Sequence, residues 1–211
     1  MKKLLILALA AFSLVSCGEW VDPAFLFGVN SKPNSGIYKV GYYYNENGKE
    51  GVVFWVTDGG KHGKIVSLTE SSSGLEWSSD DAEQERFIGA NDMSDGAKNM
   101  ADVKQISDWQ SKYPAFKWCA DLGEGWYLPA IDELKIFTLD KTVHKAVNRT
   151  LETKGEKLAN KGDDRWYWSS TEYYFKYYSG GFCACYVTMD DENTNYYVKY
   201  CRFYVRAVSA F

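Results

Sequence analysis

A chain of 211 residues, 45% hydrophobic and 25% charged, has the make-up of one globular domain with a sizeable core. Its 17% aromatic content excludes a disordered chain, because so much ring surface cannot stay solvated. The formal charge of -4 comes with no basic stripe in the sequence, so phosphate-backbone binding, and with it a nucleic-acid partner, is not expected.

Lys2 and Lys3 lead into the apolar run Leu4 to Phe12, then Ser13, Leu14, Val15, Ser16 and Cys17. A basic start, a short apolar core and small residues before a cysteine describe a secretory signal. At about 12 residues that core is too short for a bilayer span, which needs roughly 20. Leu14-Val15-Ser16-Cys17 resembles a bacterial lipobox. That resemblance implies a signal peptide over residues 1–16, with Cys17 lipidated as the first mature residue. The plainer alternative is a signal peptide cut elsewhere. Residues 17–36 contain Pro23, Pro33, Asn34 and Ser35 and little periodicity, which reads as a tether. Gly18 after the cysteine is not an Asp-type inner-membrane retention signal. The expected location is the cell envelope, as an outer-membrane lipoprotein with surface exposure left open.

Ile37 to Tyr44 is β-rich, Asn47-Gly48 offers a hairpin turn, and Gly51 to Thr57 forms a second strand. Asp58-Gly59-Gly60 turns again into Lys64 to Leu68, completing a three-stranded meander. Residues 70–96 are polar and rich in Ser, Asp and Gly, hence long loops. Ala97 to Trp109 carries Met100, Val103, Ile106 and Trp109 at helical spacing, with Asp95 as N-cap. Phe116 to Ala120 extends or follows that helix, and Pro129 sits where another can begin, with Ile131, Leu134 and Phe137 on its apolar face. Lys141 to Thr153 is a further helix through Val143 and Val147. Short strands and turns run from Trp166 to Phe211, so the fold class is α+β with antiparallel strands, two or three helices and long loops.

The chemistry-bearing residues are sparse. His62 and His144 neighbour no triad pattern and read as surface residues. Cys119, Cys183, Cys185 and Cys201 allow three disulfide pairings after export. Cys183-x-Cys185 has the wrong spacing for a zinc knuckle and is too close for a bridge along one strand. Asp190-Asp191-Glu192 could hold calcium but reads better as a solvated hairpin tip. Asn148-Arg149-Thr150 formally matches a glycosylation acceptor. No catalytic residue, metal site or cofactor is expected.

The tail is distinctive. Ten of the 16 tyrosines lie between Trp166 and Phe211, a stretch without Leu or Ile. Gly125-Trp126-Tyr127-Leu128-Pro129-Ala130-Ile131-Asp132-Glu133-Leu134, Tyr167-Trp168-Ser169-Ser170-Thr171-Glu172 and Val205-Arg206-Ala207-Val208 resemble a bacterial paralogous-domain family with a C-type-lectin-like fold. This is the type seen at the C-terminus of a Legionella collagen-like protein. The meander words Tyr38-Lys39-Val40-Gly41, Gly51-Val52-Val53-Phe54 and Lys61 to Ser67 fit the same family. The resemblance covers about residues 37–211 and implies a C-type-lectin-like ligand-binding domain with a variable-type tail over 166–211.

Within that family the tail is similar to the variable proteins of diversity-generating retroelements. There, randomised codons ending in a pyrimidine can encode Tyr, Ser, Asn, Asp, Thr, Cys, Phe, Arg or Gly but not Trp, Lys, Met, Glu or Gln. The resemblance implies ligand-binding positions at Tyr174, Phe175, Tyr177, Tyr178, Ser179, Tyr186, Thr188, Asp190, Asp191, Asn193, Asn195, Tyr196, Tyr197, Tyr200, Cys201, Arg202 and Phe203. Lys176, Met189, Glu192 and Lys199 fall outside the alphabet and would be fixed. Cysteine belongs to it, so the thiols are expected to be mostly unpaired. Tyrosine with small adaptable polar residues is also the mixture that antibody paratopes use. Runs such as Tyr173-Tyr174 and Tyr196-Tyr197 must put at least one ring outward, since neighbouring strand residues face opposite sides. Trp55, Trp109, Trp118, Trp126, Trp166 and Trp168 read as scaffold. The expected function is an adhesin-like, non-enzymatic binding protein whose partners are a protein or glycan ligand and, through its lipid anchor, a membrane. The alternatives are a structural or tip subunit of a surface appendage and, less favoured, a relative of formylglycine-generating enzymes.

Overall fold

The structure, a computed structural model, describes residues 36–79, 86–174 and 182–211. The signal, Cys17 and most of the tether expected over residues 1–36 therefore lie outside the described residues, as do Phe175, Lys176, Tyr177, Tyr178 and Ser179. No helix among the described residues is long and apolar enough to cross a membrane.

The fold is α+β. The meander forms as expected: β1 (Tyr43–Glu46), β2 (Lys49–Thr57) and β3 (His62–Ser67) pair antiparallel. Asn47 and Gly48 both take positive φ, 54° and 74°, the left-handed pair that a two-residue hairpin of native twist requires. Gly51 is needed for a different reason: a Cβ there would lie 2.6 Å from the Val66 carbonyl on β3. Ile37 to Val40 is not strand. The chain turns at Gly41, where Thr150 donates its hydroxyl to the Gly41 carbonyl.

A short strand β4 (Leu75–Glu76) is followed by helices α1 (Gly96–Lys104), α2 (Trp109–Lys112) and α3 (Pro114–Asp121). Asp95 caps α1 by accepting from the Lys98 N–H, as its position predicts. The expected helix over 97–109 stops at Lys104, and after a turn in which Asp108 adopts a left-handed conformation (φ 59°) the chain restarts as α2. Then come β5 (Trp126–Tyr127), α4 (Ile131–Thr138) and α5 (Lys141–Lys154). The described residues thus hold five helices where two or three were expected, because the 97–121 stretch divides into three short ones.

The tail supplies β6 (Trp166–Tyr174), β7 (Phe182–Thr188), β8 (Asn193–Val198), β9 (Arg202–Phe203) and β10 (Val208–Ala210). The last of these joins β3 and β5 in a five-stranded sheet of order β1-β2-β3-β10-β5. The two ends of the domain consequently meet, with the Phe211 ring 5.1 Å from Tyr38 and 4.6 Å from Tyr44. β6, β7 and β8 make a second antiparallel sheet, and β4 pairs with β9. Trp126 and Trp168 lie in the core, but Trp55, expected there, is 41% exposed with the Lys64 ammonium 5.8 Å from its ring centre.

Candidate binding surface

The surface is built on a buried polar hub. Between Trp168 and Glu172 the β6–β7 register shifts, and this irregularity turns Ser169, Ser170, Thr171 and Glu172 into the interior. Each has a partner. The Ser169 carbonyl accepts from the Trp77 indole (2.9 Å), and the Ser170 hydroxyl accepts from Asn99 (2.9 Å). Thr171 accepts from the Ile131 N–H at the start of α4 (3.0 Å). Glu172 accepts from the Ile88 and Gly89 N–H groups and from the Lys199 ammonium. Lys199 also donates to the Arg86 carbonyl (2.7 Å) and sits 4.7 Å from the Trp77 ring centre. Both charged side chains are fully buried, so each neutralises the other where water cannot.

Around this hub the tail side chains divide. Tyr174 at the end of β6 (56% exposed), Tyr197 on β8 (48%) and Tyr200 after it (54%) face solvent. Asp190, Asp191, Asn193, Asn195 and Arg202 are exposed too, and Tyr196 and Cys201 are half-buried. Tyr186, Thr188 and Phe203 were expected at the surface but are buried, at 7%, 7% and 5%. The reason is the central place of β7, paired on both edges, and the aromatic bed that forms on one of its faces. Tyr186 stacks on Trp166 (5.7 Å), and Phe203 lies 4.2 Å from Trp168 and 4.8 Å from Tyr186. Burial, followed by the nearby Tyr197, Asp190, Asp191 and Cys201, holds the Tyr186 phenol above its ordinary value.

The residues outside the nine-letter alphabet behave differently. Met189 and Lys199 are buried, and Glu192, at the hairpin turn with φ 56°, pairs with Lys161 at 2.9 Å. Three aromatic residues absent from the expected set join the exposed rim. Tyr173 is 40% exposed and stacks on Tyr196 at 4.4 Å across β7. Phe182 lies 5.3 Å from Tyr174 and 6.1 Å from Phe87. Phe87 comes from outside the tail, on the loop that Glu172 holds. No local sequence signal marks it, whereas the alternation of β6 and β7 could have found Tyr173 and Phe182.

The remaining candidates are structural. His62 is exposed, and His144 Nε2 lies 2.9 Å from the Ala159 carbonyl. The Asn148 amide brackets Leu158, accepting from its N–H (2.7 Å) and donating to its carbonyl (3.1 Å). Cys119, Cys183, Cys185 and Cys201 are free thiols. Burial pushes the Cys185 thiol up to about 12 and raises the other three as well. Such thiols are poor nucleophiles, because the thiolate is the reactive form. Among the described residues no three His, Cys, Asp or Glu side chains group as metal ligands. Compared with known protein families and with curated proteins, the chain matches none.

Proposed function

We propose that the chain is a lipid-anchored, exported binding protein whose C-type-lectin-like domain presents a Tyr-rich face to protein or glycan ligands. The observation that carries this reading is the sorting of the tail. Tyr174, Asp190, Asp191, Asn193, Asn195, Tyr197, Tyr200 and Arg202 point outward, while Met189, Lys199 and Glu192 are tied into the scaffold. That division is what retroelement-driven diversification would need: free positions that tolerate nine residue types, and fixed ones that hold the backbone. Tyrosine suits the free positions because it offers a large amphipathic contact area with few torsions to freeze, while Asn and Asp adapt their hydrogen bonds. The lectin-like assignment is supported by the sheet that joins both ends of the domain and by the second sheet seated on a buried polar hub.

The appendage reading draws on one feature. β8 is an edge strand among the described residues, and such edges can pair with another chain. Dispersed monomers of the purified protein speak against it, and fibres for it.

The binding reading is tested by probing a glycan array and a panel of bacterial cells with the purified protein and with the variant Y174S/Y197S/Y200S/R202S. Selective binding by the parent and at least tenfold weaker binding by the variant are expected, since truncating a single hot-spot Tyr or Arg of an interface costs about 2 kcal/mol or more. Equal binding by both proteins would contradict it.

A further inference from the structure

The sequence shows no basic stripe, but the structure assembles one. Lys141, Lys145 and Arg149 recur every four residues along α5 and are all exposed, so they stand one above another on a single helix face. The chain after α5 folds back beside them. Asn148 brackets Leu158, and the His144 ring meets the Ala159 carbonyl, which brings Lys157 to the same place. The result is a cleft of about 290 Å3 lined by His144, Lys145, Asn148, Arg149, Glu152 and Lys157, among others. Residues 141–165 hold seven Lys or Arg against four Asp or Glu, within a chain whose net charge is -4. This is a local reversal of sign. Glu152 offsets part of it, 3.6 Å from Lys157, and Lys161 is engaged by Glu192.

Position says what such a face meets. Gly41 lies directly on α5, where a Cβ would be 3.1 Å from Ala146, and Thr150 bonds its carbonyl. Gly36, where the described chain begins, is five residues away, at most about 18 Å of extended backbone. Tyr38, two residues on, donates its N–H to the Gly60 carbonyl (2.8 Å), so the described chain begins beside the β2–β3 turn and reaches α5 at Gly41. The segment after α5 also ends at the start of β6, since Gly162 bonds Met189 and Arg165 precedes Trp166. Tyr174 is at the other end of that strand, about 20 Å away, the six paired steps of β7 from Thr188 to Phe182 at 3.3 Å per residue.

We infer that the α5 face is a docking surface for phosphate-bearing headgroups of the anionic membrane in which the chain is anchored. It rests on the reading of Cys17 as a lipid anchor. The anchor supplies retention, and the basic face supplies orientation, because each Lys or Arg near an anionic surface is drawn to it within a Debye length. Tyr174 lies at the end of β6 away from that face, whereas the β7–β8 tip with Asp190 and Asp191 lies beside it, where Met189 bonds Gly162 and Glu192 pairs with Lys161.

The test uses the purified full-chain protein with excess vesicles of phosphatidylcholine alone or with phosphatidylglycerol, and reads lysine acetylation by mass spectrometry. Lys141, Lys145 and Lys157 are expected to react several-fold more slowly with anionic vesicles, the protection fading as salt is raised, while Lys98 and Lys104 on α1 keep their rates. The variant K145E/R149E, altered only at exposed positions, loses the protection. Equal rates with both vesicle types overturn the proposal. Equal protection by inorganic phosphate without vesicles overturns it too, in favour of a small-anion site. Flotation with neutral vesicles reads the anchor separately. Protection without flotation supports the basic face and removes the anchor, whereas flotation without protection does the reverse.

Discussion

Lys199 and Tyr197 are two residues apart, yet they have opposite roles. Lys199 is fully buried against Glu172, and Tyr197 is half exposed. Replacing Lys199 with Met leaves the Glu172 charge buried with only backbone N–H donors, a loss of about 3–5 kcal/mol. Replacing Tyr197 with Ser at the surface should cost within about 0.5 kcal/mol. Urea unfolding of K199M and Y197S checks both values, and a K199M variant as stable as Y197S would mean that the pair is solvated. This contrast was partly legible in the sequence, where the coding alphabet separates Lys199, Met189 and Glu192 from their neighbours. The burial of Tyr186, Thr188 and Phe203 was not, because the alphabet says which residues a codon allows and nothing of which strand ends up central.

Elements show the same division between pattern and context. The hairpin at Asn47-Gly48 and the cap at Asp95 follow from local chemistry, and both were readable. The break at Asp108 was not, because the apolar spacing of Met100, Val103, Ile106 and Trp109 continues across it. The word Gly125 to Leu134 gains its physical meaning only in three dimensions. Glu133 at the third position of α4 accepts from the Ala130 N–H (2.8 Å) and the Gly96 N–H (3.1 Å), from the Tyr127 hydroxyl (3.0 Å) and from the Lys64 ammonium. One carboxylate thus joins the starts of α1 and α4 to β3 and β5. Because Ala130 has no side-chain acceptor, the reciprocal half of a capping box is replaced by Thr171, which takes the Ile131 N–H. Glu133→Ala should destabilise by about 3 kcal/mol, since buried donors lose their acceptor, and Glu133→Gln by less. Thermal unfolding of the two variants measures this, and equal melting temperatures for E133A and the parent would contradict it.

At the scale of the whole molecule, the aromatic excess resolves into two populations. One is a bed of Trp77, Trp166, Trp168, Tyr186 and Phe203 within and beneath the tail sheet; the other is a rim of Phe87, Tyr173, Tyr174, Tyr197 and Tyr200 at the surface. The α+β class and the meander were legible from periodicity and turn residues. The rim was legible in outline only, because Phe87 reaches it through a hydrogen-bonded loop whose anchor, Glu172, is more than eighty residues away in sequence. The central claim is that the scaffold frees one set of tail positions to vary while holding another. Deep sequencing of this gene across a bacterial population tests it most directly. Substitutions concentrated at codons 174, 190, 191, 193, 195, 197, 200 and 202, with codons 189, 192 and 199 unchanged, are the expected result. Substitutions spread evenly along the gene, or falling on Lys199 as often as on Tyr197, would contradict it.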